Sequence, residues 1–95
     1  MNDAKTQLEA IRKRIDEIDE ELIKLMAERT NFAKDIAMLK KALNMPINDS
    51  KREKEVYEKT RKLCNKYNFD EEIGVKIIKI LVEHNKAIQS KYLKK

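Results

Sequence analysis

Apolar residues recur at alternating steps of three and four through the first half of the chain. This stretch runs from about Lys5 to about Leu43 and contains no glycine or proline. The apolar positions are Leu8, Ile11, Ile15, Ile18, Leu22, Leu25, Phe32, Ile36, Leu39 and Leu43. A heptad pattern over about five repeats predicts one helix with a long partner. That helix would be about 57 Å long, which exceeds the ~26–35 Å diameter of a compact domain of this size.

A second helix is predicted after the linker that contains Pro46. Ser50 and Glu53 have the spacing of a capping box, with Asp49 as a competing N-cap, and the helix should end near Tyr67. Its expected inner face consists of Val56, Tyr57, Thr60, Leu63, Cys64 and Tyr67.

A third helix is predicted from the segment that follows. Asn68 should end the second helix, Asp70 should be the next N-cap, and the third helix should reach about Tyr92. It is expected to pack through Ile73, Ile77, Ile78, Leu81, Val82 and Ile88.

The two shorter helices cannot cover the long one. At about 18 and 22 residues they would span only ~27 and ~33 Å. A chain of 95 residues also buries a modest core unless it pairs with another copy of itself. We therefore expect an all-α fold of three helices, one long and two shorter, in an intertwined, obligate homodimer, with residues 1–95 forming a single domain.

Composition agrees with long helices and excludes several kinds of site. The chain is 41% hydrophobic and 41% charged with a net charge of +5, which mildly favours anionic partners. With one cysteine, no long apolar segment and no signal-like run at the N-terminus, a cytoplasmic protein without membrane contact is expected. The single histidine and single glycine support neither a metal site nor a phosphate loop, so we expect no cofactor. Abundant lysine, glutamate and isoleucine weakly suggest a high-temperature origin.

Arg29 interrupts the apolar seam of the long helix. Its side chain could extend to solvent or pair with a glutamate across an interface, or its guanidinium could point into a pocket. The chain has 17 lysines but only five arginines, so an arginine in the seam favours a role for the planar fork that binds carboxylates. Arg12 lies about 25 Å away along the helix and could approach Arg29 only from an antiparallel partner.

Polar residues also occur on the inner faces near the helix ends. Lys40 lies three turns after Arg29 on nearly the same face, although a solvated lysine at a helix C-terminus is equally ordinary. On the third helix the stripe of Val82, Asn85 and Gln89 changes from apolar to amide, and buried amides would need partners. Surface exposure is the alternative for both features.

The order of these features resembles the all-helical class of chorismate mutase. The resemblance rests on "LEAIRKRIDEIDEELIKLMAERTNFAKDIAMLKK", "PINDSKRE" and "VEHNKAIQ", and extends from about Leu8 to Gln89. It implies a monofunctional isomerase that converts chorismate to prephenate on the route to phenylalanine and tyrosine. It also implies an intertwined three-helix homodimer that needs no cofactor.

The resemblance further implies a role for each of ten residues. Arg12 from the partner subunit and Arg29 would clamp carboxylates, supported by Arg52. Lys40 and Gln89 would hydrogen-bond the ether oxygen of the substrate, and Glu53 would accept a hydrogen bond from its hydroxyl. The full set is Arg12, Arg29, Ile36, Lys40, Asp49, Arg52, Glu53, Val82, Asn85 and Gln89, of which Ile36 and Val82 would be apolar walls. Asn85 and Lys86 depart from the residues common in the family, where a small hydroxyl residue and an apolar residue are expected.

Two other functions are compatible with parts of this pattern. An isochorismate pyruvate-lyase would use a similar cationic pocket on the same fold. A basic helical dimer that binds nucleic acid would need a solvent-facing stripe of lysine and arginine, whereas acidic residues are interspersed here, as in "RKRIDEIDEE". A purely structural coiled coil is disfavoured by Arg29 in the seam.

Overall fold

A computed structural model describes residues 3–93, and all of the regular structure within that range is helical. The helices are α1 (Asp3–Asn31), α2 (Ala33–Ala42), α3 (Ser50–Lys66) and α4 (Glu71–Leu93). The predicted all-α class is confirmed, and α3 and α4 match the two shorter helices of the sequence analysis. The predicted long helix corresponds to α1 and α2 together.

A single residue, Phe32, separates α1 from α2, which corrects the expectation of an unbroken helix. The Phe32 amide donates to the Arg29 carbonyl at 3.4 Å, three residues back instead of four. The regular pattern resumes at once, because the Ile36 amide donates to the Phe32 carbonyl at 2.9 Å. The Phe32 backbone stays right-handed at φ −75° and ψ −10°. The break is therefore one tightened turn.

Asparagines in the left-handed conformation end α2 and α3. Asn44 has φ 61° and Asn68 has φ 55°, a region that asparagine tolerates better than most residues. After α2 the amide of Met45 donates to the carbonyl of Lys40 at 2.8 Å, so the last turn of the helix is closed before Pro46. The chain can then reverse direction and enter α3.

Aspartates cap the N-termini of α3 and α4. The Asp49 side chain accepts from the Arg52 amide at 3.1 Å, and the Asp70 side chain accepts from the Ile73 amide at 3.0 Å. The expected cap at Asp70 is confirmed. At α3 the competing cap prevails over the predicted box of Ser50 and Glu53, because the Asp49 side chain accepts from the Arg52 amide and the Glu53 amide already donates to the Asp49 carbonyl. The Glu53 carboxylate is thereby available for other contacts.

Helix α4 packs against both α2 and α3. Ala33 and Ala37, one turn apart on α2, are fully buried, so small side chains let α2 lie close to its neighbour. Gly74 of α4 faces Cys64 of α3, and a Cβ at Gly74 would overlap the Cys64 sulfur. These close contacts fix how α4 crosses the other two helices.

Most of α1 extends beyond the packed helices. The described chain measures 66 × 27 × 14 Å with a radius of gyration of 18.1 Å, whereas a compact domain of this length would have about 13 Å. No residue of α1 is buried. Its apolar seam is open to solvent, with Ile11 58%, Ile18 41% and Leu25 55% exposed. No helix within residues 3–93 combines the length and apolar character that a membrane span requires.

Candidate active site

A cleft of about 580 Å³ lies where the end of α1, α2, the loop after it, the first turns of α3 and the second half of α4 meet. Nine of the ten predicted site residues line it: Arg29, Ile36, Lys40, Asp49, Arg52, Glu53, Val82, Asn85 and Gln89. They come from all four helices and the connecting loop, so the fold brings together residues that are up to 60 positions apart in the sequence. Arg12 is the exception.

A chain of hydrogen bonds joins Lys40, Gln89 and Asn85 across the cleft. The Lys40 ammonium donates to the Ile47 carbonyl at 2.6 Å and to Oε1 of Gln89 at 3.0 Å. The Gln89 amide nitrogen in turn donates to Oδ1 of Asn85. Gln89 is 4% exposed and Asn85 is 7% exposed. The amide stripe of α4 is therefore buried, and the surface alternative for Asn85 and Gln89 does not apply.

The direction of these bonds follows from the chemistry of the groups. An ammonium only donates, so the oxygen of Gln89 must face Lys40 and its NH₂ group must face away. Asn85 accepts with its oxygen, which leaves its own NH₂ group as a donor. The chain therefore leaves donor hydrogens for a ligand, and the carbonyl-type oxygens of both amides already have partners. Such a wall suits ligands with oxygen acceptors.

Glu53 faces Lys86 on the neighbouring helix. The Lys86 ammonium lies 3.4 and 3.5 Å from the two carboxylate oxygens of Glu53 and 3.3 Å from one oxygen of Glu83. Burial acts to lower the pKa of Lys86, but the hydrogen bonds to Glu83 and Glu53 outweigh burial and raise it. Burial also raises the pKa of the nearby Tyr57, with further contributions from the charges of Glu53 and Glu83. Lys86 is therefore charged and paired in the neutral range.

Two arginines provide the remaining positive charge. Arg29, in the last turn of α1, is half-buried at the cleft, and within residues 3–93 its guanidinium has no carboxylate within 4.0 Å. Arg52 follows the cap of α3, and its side chain is 66% exposed, with Nη1 3.7 Å from Glu55. The pKa of Tyr57 is raised overall, and the positive charge of the nearby Arg29 offsets part of that rise. The Arg29 fork is thus available for an anionic ligand.

Arg12 lies on the free part of α1, outside the cleft. Its guanidinium is 3.2 Å from Glu9 on the preceding turn, and both side chains are about three-fifths exposed (62% and 61%). Within one chain Arg12 cannot reach the cleft, which agrees with its predicted distance of about 25 Å from Arg29 along the helix.

Comparison with known proteins identifies the family to which this chain belongs. The family model of chorismate mutase type II matches residues 11–90. The chain belongs to this family. It is 56% identical over 87 residues to a chorismate mutase of Methanocaldococcus jannaschii, a match that covers 92% of this chain and 88% of that protein.

One further relative and one solved structure are also similar to most of this chain. A bifunctional chorismate mutase/prephenate dehydratase of Buchnera aphidicola is 37% identical over 92 residues, which cover 97% of this chain but 24% of that protein. The NMR structure of monomeric chorismate mutase from Methanococcus jannaschii has a TM-score of 0.70 and 49% identity, and the match covers 94% of this chain and 93% of that one.

The cleft of this chorismate mutase family member has further lining residues that sequence reasoning did not assign. These are Phe32, Asp35, Leu39, Ile47, Val56 and Lys86. Phe32 and Leu39 belong to the apolar seam, so their spacing placed them on the correct face. Lys86 follows Asn85 directly, but nothing in the sequence indicated whether it faces solvent. Within residues 3–93, no group of three or more histidine, cysteine, aspartate or glutamate side chains is arranged to bind a metal ion.

Proposed function

We propose that this protein rearranges chorismate to prephenate and that the cleft is where the reaction takes place. The observation that carries the proposal is the wall of Lys40, Gln89 and Asn85, whose remaining N–H groups can donate to a ligand. The same cleft is lined by Arg29, which has no carboxylate within 4.0 Å among residues 3–93. Chorismate is a dianion with an ether oxygen, and the donors and cations among the lining residues complement it. The relatives with a prephenate dehydratase segment support prephenate as the product.

The reaction needs no nucleophile and no general base. In this [3,3]-sigmatropic rearrangement one C–O bond breaks and one C–C bond forms within the same molecule. Two effects accelerate it: restriction of the substrate to a compact chair, and stabilisation of the negative charge that grows on the ether oxygen. Lys40 and the Gln89 amide donate to that oxygen. Gln89 is held ready for this by its bond to Lys40.

The carboxylates and the hydroxyl of the substrate orient it. Arg29 binds a carboxylate in a bidentate manner, and Arg52 supports it from the start of α3. The Asn85 NH₂ group donates to a carboxylate in place of the small hydroxyl residue found in the family. Glu53 accepts a hydrogen bond from the substrate hydroxyl, while Asp49 holds the first turn of α3 that carries both Arg52 and Glu53.

The active protein is a homodimer in which Arg12 enters the partner's cleft. The exposed seam of α1 supports the dimer, because burying a Leu or Ile side chain contributes about 1.5–3 kcal/mol. Two α1 helices that cross in antiparallel orientation would cover both seams and bring Arg12 of one subunit towards Arg29 of the other. A related structure is described as monomeric, so the dimer requires a test separate from the fold.

The direct test is incubation of the purified protein with chorismate and identification of the product. Loss of chorismate with stoichiometric appearance of prephenate is expected. Incubation with isochorismate should release no pyruvate. Failure to form prephenate from chorismate would refute the proposed activity.

A further inference from the structure

Lys86 lies in the wall of the cleft between two carboxylates of unequal exposure. Its side chain is 22% exposed, and Glu53, its partner on α3, is 23% exposed. Glu83, one turn earlier on α4, is 54% exposed. Glu83 is a local partner that any surface lysine could find, whereas Glu53 lies 33 positions away in the sequence and lines the same cleft.

The pair of Lys86 and Glu53 differs from an ordinary surface ion pair. Exposed pairs contribute little because water screens them and both side chains lose entropy. Here both groups are largely removed from water, and charged groups in such places need partners. The contact between Lys86 and Glu53 is therefore part of the structure of the cleft and not an ordinary solvated surface pair.

The geometry of the contact leaves the carboxylate able to bind a ligand. The Lys86 ammonium is nearly equidistant from the two Glu53 oxygens, at 3.4 and 3.5 Å. Both distances are longer than the ~2.7–3.2 Å of a well-formed N–H···O bond, so neither oxygen is fully engaged. The ammonium restrains the plane of the carboxylate and leaves each oxygen free to accept another hydrogen bond.

Charge balance gives a second reason. A dianionic substrate must enter a cleft that also contains the carboxylates of Asp35, Asp49 and Glu53. Of these, Glu53 is the one that the proposed function places against the substrate, so its charge is the most unfavourable for binding unless it is compensated. From these observations we infer that Lys86 is a positioning residue that holds and compensates Glu53 so that this carboxylate can accept the substrate hydroxyl. The inference rests on the proposed function.

Three variants test the inference by steady-state kinetics with chorismate. Lys86→Met removes the charge and keeps most of the length of the side chain, and it should lower kcat/KM about 10- to 100-fold, as expected for loss of a charge-assisted contact. Lys86→Arg keeps the charge and should retain activity within about fivefold. Lys79→Met is the matched control, an exposed lysine two turns earlier on α4, and should stay within about twofold. Circular dichroism should show all three variants folded.

Two further measurements separate positioning from a structural role. A chorismate analogue with hydrogen in place of the hydroxyl lacks the group that Glu53 holds. With this analogue as substrate, Lys86→Met should lower kcat/KM less than about threefold. In the Glu53→Gln background, adding Lys86→Met should likewise cost less than about threefold. The inference is overturned if Lys86→Met loses the same factor in kcat/KM with both substrates, or if the losses in the double variant are additive. It is also overturned if Lys86→Met loses no activity while the wild type is active. An inactive wild type would instead refute the proposed function.

Discussion

Replacing Lys40 with methionine removes the charge that the mechanism needs most and keeps the bulk of the side chain. The ammonium now serves two acceptors, the Ile47 carbonyl at 2.6 Å and the Gln89 side-chain oxygen at 3.0 Å. The first contact ties the loop after α2 to the helix, and the second fixes the orientation of the Gln89 amide. The substitution therefore affects stability and catalysis by separate routes.

The two effects differ in size. Each acceptor that loses its donor costs about 1–3 kcal/mol when fully buried. Ile47 is half-buried, so water can replace much of the loss there, whereas Gln89 is 4% exposed and its oxygen accounts for most of the cost, and we expect destabilisation of about 1–3 kcal/mol. Loss of a donor to a developing oxyanion costs about 10²–10³-fold in kcat, or about 3–4 kcal/mol. The misplaced Gln89 amide adds to that loss, so kcat/KM should fall by at least this factor.

The assay follows chorismate consumption together with thermal unfolding by circular dichroism. Lys41→Met is the matched control, because Lys41 is adjacent, exposed and absent from the cleft. It should leave kcat/KM within about twofold. If Lys40→Met is folded and retains near-normal kcat/KM, Lys40 does not stabilise the transition state and the assigned mechanism is wrong.

Three other substitutions test the remaining parts of the structure. Gln89→Glu should make activity favour acid, because beside Lys40 the new carboxylate will be ionised at neutral pH and only its protonated form can donate; an unchanged profile of kcat/KM against pH would contradict the contact. Gly74→Ala should lower the melting temperature by several degrees in circular dichroism, since overlap with the Cys64 sulfur, about 1–3 kcal/mol, exceeds the ~1 kcal/mol gain in helix propensity. Ile18→Glu should yield an inactive monomer in analytical ultracentrifugation, because it places charge in the α1 seam. A fully active dimer would refute the proposed interface.

The heptad pattern and the capping residues were enough to predict the course of the chain. The steps of three and four predicted a long helical segment, which the structure contains as α1 and α2, and the apolar residues of α1 are exposed in the single chain. Asp70 caps α4 by accepting from the Ile73 amide, and Asn68 follows the end of α3 in the left-handed conformation, as expected for each residue type. Such signals are short-range and can be read from neighbouring residues alone.

The break at Phe32 and the choice of cap at α3 could not be predicted in this way. At Phe32 one amide donates to the carbonyl three residues back instead of four. The sequence carries no signal for this small change, because no glycine, proline or side-chain cap is present there. At α3, Asp49 and Ser50 are adjacent residues that are both good N-caps, and their residue types alone do not indicate which of them begins the helix. That choice matters for the site, because it frees Glu53 from the capping box and leaves its carboxylate to Lys86.

The polarity of the cleft depends on contacts that only the folded chain provides. Taken singly, Lys40 is an ordinary lysine at a helix end, and Asn85 and Gln89 are amides that could donate or accept. The crossing of α2 and α4 brings Lys40 to Gln89. Because an ammonium can only donate, the Gln89 oxygen must face Lys40, and the Gln89 NH₂ group then donates to the Asn85 oxygen. One obligate donor thus fixes the orientation of two amides in sequence. It follows that neutralising Lys40 would leave Gln89 and Asn85 free to turn, and the cleft would lose its preference for oxygen acceptors.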